Sequence, residues 1–271
     1  LEGNVVWERD LGDMQKRREF GEGSSPVLHG DTIFIQWDHE GPSALFALDK
    51  KTGKDRWKVD RDEISSWSTP LVVEHEGTPN LVTSATGQVA GYHADTGERL
   101  WHTTGMTVNV IPSPVTLDGL VIAMSGFRGA ALRAIRLDGA RGDLTGTDAI
   151  AWSLDRDTPY TPSPLLYEGT LYFLKTNRAI LSSFDARTGK EHYSGQRLEG
   201  LGSIYSSPVG VADRVYVTDR DGNTAVVRHG PDFEVLATNS LDDGFDASMV
   251  VVGDEILLRG QKYLYSIGAG E

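Results

Sequence analysis

The 271-residue sequence contains no cysteine. Disulfide bonds, thiolate metal sites and cysteine nucleophiles are therefore excluded, although this absence leaves the cellular compartment open. The sequence also lacks any apolar run close to the roughly 20 residues of a membrane-spanning helix, so we expect no transmembrane segment. No signal peptide is visible, but the chain starts at Leu1 and not at a methionine, which leaves room for a targeting segment that has been removed.

Positive charge is scarce. The 26 Lys and Arg residues are outnumbered by 39 Asp and Glu residues, which gives a formal net charge of −13. Because such a chain repels the phosphate backbone, we expect no nucleic-acid partner. A phosphate loop, a dinucleotide-binding glycine motif and a serine nucleophile elbow are missing as well. Any catalytic residues therefore stay unknown.

A sustained 3.6-residue apolar period is also missing, and the chain shows an internal repeat in its place. An apolar strand, a turn containing Asp and Thr-Gly, and a strand with a large aromatic residue run from Leu45 to Trp57. The phrase returns at 94–101 and at 185–193. In such a turn Asp accepts hydrogen bonds from backbone amides ahead of it, and Gly tolerates positive φ.

A second marker opens a strand in each repeat with a small residue, a proline and an apolar residue, as in Ser25-Pro26-Val27. Proline suits this position because the first amide of a strand need not join the ladder. The marker prolines are separated by 44, 44, 50 and 44 residues, and a degraded sixth copy lies at 247–250. Four short strands follow each marker. A four-stranded unit of this length, repeated six times, predicts an all-β fold, a six-bladed β-propeller.

We expect a single domain over 1–271, with blades at approximately 13–60, 61–104, 105–155, 156–196, 197–240, and 241–271 plus 1–12. The last repeat stops after its third strand, and Asn4–Arg9 has the pattern of a fourth. We therefore expect the N-terminal strand to pair with the last blade and close the ring. The insertion at 139–148 is predicted to be a surface loop. The outer-strand aromatics are predicted to be wedges between blades: Trp7, Trp57, Trp101, Trp152 and Tyr193.

The phrase Asp-x-x-Thr-Gly-x-x-x-Trp, together with the Ser-Pro-Val openings, resembles the PQQ-type propeller repeat. That family includes quinoprotein alcohol dehydrogenases and the propeller lipoprotein of bacterial outer-membrane assembly. The chain is also similar to secreted or periplasmic PQQ-like propellers of planctomycetes, through Asn4–Trp7, Gly142–Thr145 and Tyr263–Gly268. The resemblance implies a periplasmic or secreted location. It transfers no function, because the dehydrogenases carry a cysteine pair and the lipoprotein a lipidated cysteine.

In a propeller, the loops from fourth to first strands and from second to third strands share one face around the central channel. In this chain those loops carry Lys, Arg and aromatic residues, which suit an anionic or sugar-like ligand, although solvated loop tips are the alternative. We expect a ligand-binding rim of Trp37, Trp67, Arg128, Tyr160, Lys175, Arg178, Tyr205, Arg220, Asp246, Arg259 and Lys262.

No metal site is expected. The segment 219–223 resembles the start of a calcium loop but lacks the closing Glu, and a plain Asp-Gly turn is the better interpretation. The seven histidines are scattered, which disfavours zinc.

The favoured function is a non-catalytic, monomeric binding or scaffold propeller without a cofactor, holding a protein partner or an anionic polysaccharide. The alternative is a quinoprotein-type oxidoreductase using PQQ with calcium, or a carbohydrate-active enzyme at the channel mouth. Buried carboxylates with strongly shifted pKa at that mouth would favour the enzyme.

Overall fold

The protein, described here by a computed structural model over residues 2–268, consists almost wholly of β-strands. Within those residues, the one helical element is a single 3-10 turn, Arg17–Glu19. No helix in the described range is long and apolar enough to cross a membrane. The all-β class predicted from the repeats is therefore confirmed.

Residues 2–268 form six sheets that follow one another along the chain. Sheet 1 contains β1 (Val27–His29), β2 (Thr32–Trp37), β3 (Ser43–Asp49) and β4 (Asp55–Arg61). Sheet 2 contains β5 (Leu71–His75), β6 (Thr78–Ala85), β7 (Gln88–His93) and β8 (Arg99–Thr104), with the later strand β12 (Gly142–Asp143) added at its edge. Sheet 3 contains β9 (Val115–Leu117), β10 (Leu120–Ser125), β11 (Ala131–Arg136) and β13 (Ile150–Leu154).

The second half of the chain repeats this plan. Sheet 4 contains β14 (Leu165–Tyr167), β15 (Thr170–Leu174), β16 (Ile180–Asp185) and β17 (Glu191–Arg197). Sheet 5 contains β18 (Val209–Val211), β19 (Arg214–Thr218), β20 (Asn223–Arg228) and β21 (Val235–Ser240). Sheet 6 contains three strands, β22 (Val250–Val252), β23 (Glu255–Arg259) and β24 (Leu264–Gly268).

The apolar core lies between consecutive sheets. Leu45 of sheet 1 packs against Leu81 of sheet 2 in one buried cluster, and Ile122 of sheet 3 packs against Phe173 of sheet 4 in another. First strands of neighbouring sheets also touch, as β1 with β5, β9 with β14, and β14 with β18. Successive antiparallel sheets that pack face to face with adjacent first strands are the arrangement of a β-propeller.

The Ser/Thr-Pro markers form a belt of hydrogen bonds that joins all six repeats. From the second repeat onward, each marker hydroxyl accepts the backbone N–H of the marker in the preceding repeat, so the recurrence of Ser or Thr before proline has a structural cause. The five bonds run from Ser25 N to Thr69 Oγ1 (3.1 Å), Thr69 N to Ser113 Oγ (3.1 Å), Ser113 N to Ser163 Oγ (3.0 Å), Ser163 N to Ser207 Oγ (2.9 Å) and Ser207 N to Ser248 Oγ (2.8 Å).

The outer-strand tryptophans dock on the Thr-Gly turn of the next repeat. The indole of Trp57 lies over Gly97, where a Cβ would come within 2.8 Å of its ring, and Trp57 Nε1 donates to Ala94 O at 2.8 Å. Trp152 repeats the contact, with Gly189 below the ring and a 3.1 Å bond to the Ala186 carbonyl. The wedge interpretation is therefore confirmed for these two residues, and it explains why the turn ends in glycine.

In repeat 3 the Thr-Gly pair, Thr145-Gly146, lies inside the insertion, and no ring lies within 4 Å of a Cβ added at Gly146. Apolar side chains of the insertion contact the outer-strand tryptophan instead. Trp101 is buried in the same cluster as Ala140 and Leu144 of the insertion. The short strand β12 pairs parallel with β8, Gly142 lying opposite Trp101. The prediction of a plain surface loop at 139–148 is therefore wrong, because two apolar side chains of the insertion complete the core between sheets 2 and 3.

The predicted closure by the N-terminal strand is also wrong in this structure. Residues 2–16 form no strand, and β24 is an edge within the described residues. The N-terminal segment lies instead against sheet 1, where Trp7 Nε1 donates to Lys50 O at 2.9 Å and Arg9 pairs with Asp55 at 2.9 Å. Trp7 docks over Gly53 in the way that Trp57 docks over Gly97. The wedge contact of Trp7 thus forms without the strand pairing.

Candidate functional site

Three of the predicted rim aromatics meet in one cavity of about 390 Å³. Trp67, Tyr160 and Tyr205 line it together with Phe20 and Ile111, and we call this the aromatic cavity. Glu22, Gly23 and Thr161 complete its wall. Phe20 precedes sheet 1. The loops that lead into sheets 2, 3, 4 and 5 supply, in that order, Trp67, Ile111, Tyr160 and Tyr205. The propeller plan therefore brings residues far apart in sequence onto one face.

Each predicted ring of the aromatic cavity has one face already occupied. The guanidinium carbon of Arg220 lies 4.2 Å from the centroid of Tyr205, and Phe127 stacks on Tyr160 at 4.9 Å. Lys16 Nζ lies 5.0 Å from the Trp67 ring, whose Nε1 donates to Gly21 O at 2.8 Å. These contacts fix the rings and leave at most one face of each for a ligand.

A second cavity of about 580 Å³ adjoins the first, and Tyr160 lines both. Arg178 and Arg197 lie in its wall with Thr176, Asn177, Gly202 and Ser203, and we call it the arginine cleft. Both arginines are exposed. Arg197 donates to Leu201 O at 3.1 Å, whereas the Arg178 guanidinium has no hydrogen bond or ion pair within residues 2–268. The cleft therefore offers two cations to an anion.

The remaining predicted rim residues lie apart from these cavities or are paired with carboxylates. Trp37 packs edge-to-face with His39 and joins the apolar cluster of sheet 1. Arg128 lies over Phe127 at 5.3 Å, and Arg259 ends β23 as an exposed residue. Three cations form ion pairs: Lys175 with Asp157 (2.7 Å), Arg220 with Asp246 (2.5 Å) and Lys262 with Asp242 (3.7 Å).

A network of buried charged residues lies between sheets 1 and 2, and the sequence did not predict it. Arg61 Nε and Nη2 bind the two oxygens of Asp38 at 2.8 and 3.1 Å, and both side chains are almost fully buried. Arg61 Nη1 also donates to Tyr92 OH at 2.7 Å. The run Asp60-Arg61-Asp62-Glu63 had the pattern of a solvated turn, and no signal in the sequence separates Arg61 from its exposed neighbours.

Two further titratable groups belong to this network. The ammonium group of Lys16 donates to the backbone carbonyls of Asp38 and Ser66, and burial lowers its pKa despite the attraction of Asp38. Glu63 lies 3.5 Å from Arg61 and accepts a 2.6 Å bond from Gln88. Burial raises the pKa of Glu63 to about 7, since desolvation outweighs the attraction of Arg61. Glu63 is thus protonated at pH values at which an exposed Glu is charged.

Replacing Glu63 by glutamine should remove part of the pH dependence of stability. A carboxyl group with a raised folded-state pKa loses stability as pH rises from its unfolded value of 4.5 to about 7, because the unfolded chain ionises first. The integrated loss is about 3 kcal/mol. We therefore expect the free energy of unfolding of Glu63→Gln, relative to that of the wild type, to rise by about 2.5 kcal/mol between pH 5 and pH 8. Urea unfolding at several pH values measures this difference.

The same substitution at exposed Glu98 is the control for the loss of one formal charge. If Glu63→Gln and Glu98→Gln show the same difference from the wild type at every pH, the raised pKa of Glu63 is refuted.

One trio within residues 2–268 has ligand atoms close enough to hold a metal ion, namely His75, Glu76 and Asp138. Its two carboxylates are exposed, and His75 Nε2 lies 2.7 Å from Asp138 Oδ1. The approach of His29 to Glu74 at 3.0 Å is similar, so contacts between a histidine and a carboxylate recur between neighbouring sheets. The segment at 219–223 forms the predicted turn, with Asp219 Oδ1 accepting two backbone N–H groups.

Comparison with known proteins supports the fold and adds a family. A family model described as "Outer membrane protein assembly factor BamB" matches residues 1–229. No curated protein sequence is significantly similar to the chain. Solved structures that resemble it include BamB from Moraxella catarrhalis, with 17% identity, 88% of this chain and 79% of that chain covered, and a TM-score of 0.47.

Two dehydrogenases resemble the chain in fold. The quinohemoprotein alcohol dehydrogenase from Comamonas testosteroni has 14% identity and a TM-score of 0.55, with 83% of this chain and 44% of that chain covered. A europium-containing methanol dehydrogenase has 12% identity and a TM-score of 0.59, with 88% and 53% covered. This chain thus spans about half the length of either dehydrogenase. Since the family model matches most of the sequence, the chain belongs to the outer membrane protein assembly factor BamB family of PQQ-like repeat propellers.

Proposed function

We propose that this chain is a non-catalytic binding module that holds a partner protein against the face formed by the aromatic cavity and the arginine cleft. The observation that carries the proposal is the convergence of Trp67, Tyr160, Tyr205 and Arg178 from four separate loops. Aromatic and arginine side chains are the residues that most often dominate binding energy at protein interfaces. The family description, an assembly factor for outer-membrane proteins, supports a protein partner and a periplasmic location.

The enzyme alternative requires a titratable group that can reach a substrate. Glu63 meets one part of that requirement, since burial raises its pKa to about 7. The side chains of Asp38 and Glu63 are, however, only 0% and 5% exposed, and both oxygens of Asp38 are occupied by Arg61. A network sealed in this way joins sheets 1 and 2 by hydrogen bonds and is closed to a substrate. It therefore favours the binding module over an enzyme.

The donor set also disfavours PQQ with calcium. Calcium takes roughly six to eight oxygen ligands. Glu22 is the one carboxylate among the residues that line the aromatic cavity and the arginine cleft, and Asn177 is the one side-chain amide. These residues do not fit a calcium-bound quinone, and the likeness to the two dehydrogenases concerns the fold alone.

Thermal melting with PQQ and calcium tests the proposal against the oxidoreductase. We expect no change in Tm relative to calcium alone and PQQ alone. A cofactor bound at 100 times its Kd would add about 2.7 kcal/mol. For a chain of this length that corresponds to roughly 5–10 °C. A shift of that size with both components together would refute the non-catalytic proposal.

A further inference from the structure

We propose that the partner is recognised through an extended acidic segment. This segment inserts one aromatic or large aliphatic side chain into the aromatic cavity and places one carboxylate in the arginine cleft. The inference rests on the proposed binding function and adds the chemistry of the bound segment.

The aromatic cavity fits a side chain better than a sugar ring. Its volume of about 390 Å³ lies near the lower end of the roughly 300–1,000 Å³ typical of small-ligand pockets. A sugar needs a free aromatic face and many hydrogen-bond partners. Among the polar groups in its wall, Trp67 Nε1 already donates to Gly21 O, and Thr161 N already donates to Asn177 Oδ1. The rest of the cavity wall consists mainly of aromatic rings. An apolar side chain that inserts there is stabilised because its surface is removed from water.

The arginine cleft selects a carboxylate. Guanidinium groups bind carboxylates through paired, charge-assisted hydrogen bonds, and Arg178 has no such partner within the described residues. Its neighbour on the rim, Lys175, is paired with Asp157. The chain has a net charge of −13, so the two arginines of the cleft form a positive patch on a mostly negative surface. Such a patch attracts an acidic segment to this site.

Three nearby acids limit how much negative charge this face accepts. A Cβ at Gly202, in the cleft wall, would lie 2.7 Å from Asp221 Oδ2 and 3.7 Å from Asp219 Oδ2, so both carboxylates face the same region. Glu22 lies in the wall of the adjoining aromatic cavity. One carboxylate between Arg178 and Arg197 is therefore favoured over a run of several. Because Tyr160 lines both cavities, and side chains on one face of an extended segment recur at every second residue, the anchor and the acid should be two residues apart.

Selection from a displayed library of short random peptides tests this inference on the full chain. We expect enriched peptides that pair Trp, Phe, Tyr or Leu with Asp or Glu at this spacing. A synthetic peptide of the enriched sequence should lose at least about tenfold in affinity for the double variant Arg178→Glu/Arg197→Glu. It should also lose affinity for Tyr205→Ala, which removes one wall of the cavity.

The matched control is Arg141→Glu/Arg214→Glu. These two arginines are exposed, and each donates to a nearby backbone carbonyl as Arg197 does. This control has the same net charge as the cleft variant and should bind the peptide as the wild type does. Equal losses in both double variants would show a general charge effect and overturn the inference.

Three other outcomes separate this inference from the proposed function. Enriched peptides without an acid, or without an aromatic or aliphatic anchor, would overturn the inference and leave a peptide-binding face. Binding of the polyuronate alginate, lost in Tyr205→Ala and in the cleft variant, would overturn it in favour of a glycan. If neither peptides nor alginate bind and the melt shifts with PQQ and calcium, both the inference and the proposed function fail.

Discussion

Replacing Asp38 by asparagine should lower the free energy of unfolding by about 3–5 kcal/mol, the range found when one partner of a buried ion pair is removed. Asn keeps the shape of the side chain but leaves the Arg61 guanidinium buried without its bidentate carboxylate. Urea unfolding measures the loss. The control is Asp60→Asn, which breaks the exposed Lys58–Asp60 pair and should change stability by less than about 1 kcal/mol.

The loss should depend on pH because Glu63 can replace Asp38 in part. At pH 5.5 the Glu63 carboxyl is protonated, whereas at pH 8.5 it is ionised and 3.5 Å from Arg61. Asp38→Asn should therefore lower the free energy of unfolding by more at pH 5.5 than at pH 8.5. The double variant Asp38→Asn/Arg61→Met should cost less than the sum of the two single variants, since no unpaired charge is left buried. Additive losses would show that Asp38 and Arg61 act independently.

This network marks the limit of what the sequence could predict. The turn phrase ending in Thr52-Gly53 and the Ser-Pro markers identified the fold, because each records a contact that recurs in successive repeats. Asp38 and Arg61 occur once, in one interface. Charged residues in single copies look alike whether they face water or each other, so only the packing of sheets 1 and 2 distinguishes them.

The sequence also predicted part of the arrangement of the candidate rim residues. The rule that alternate loops share one face placed Trp67, Tyr160 and Tyr205 together, and the structure joins them in one cavity. The rule could not indicate that Trp37 would pack into the apolar cluster of sheet 1. Nor could it indicate that Phe20, in the segment before that sheet, would line the aromatic cavity. Loop ends follow the repeat, whereas side-chain directions at those ends depend on local contacts.

Replacing Gly97 by alanine should lower the free energy of unfolding by about 3 kcal/mol. Gly97 has φ of +76°, a conformation that costs an alanine roughly 1–2 kcal/mol. The added methyl group would also meet Trp57 Cε3 and Val59 Cγ2 at 2.8 Å. Displacing a docked indole costs roughly a further 1–3 kcal/mol, as in other overpacked cores. Urea unfolding with an unchanged m-value would assign the loss to the folded state.

Gly77→Ala is the matched control, because Gly77 has φ of +73° with no atom within 4 Å of an added Cβ. It should lose only the roughly 1–2 kcal/mol of backbone strain. In a Trp57→Ala background the indole is gone, and the cost of Gly97→Ala should fall toward that of Gly77→Ala. This convergence would show that the glycine of the Thr-Gly turn is required by the tryptophan of the preceding repeat. Equal losses for Gly97→Ala and Gly77→Ala in the wild type would show instead that the turn needs glycine for its backbone alone.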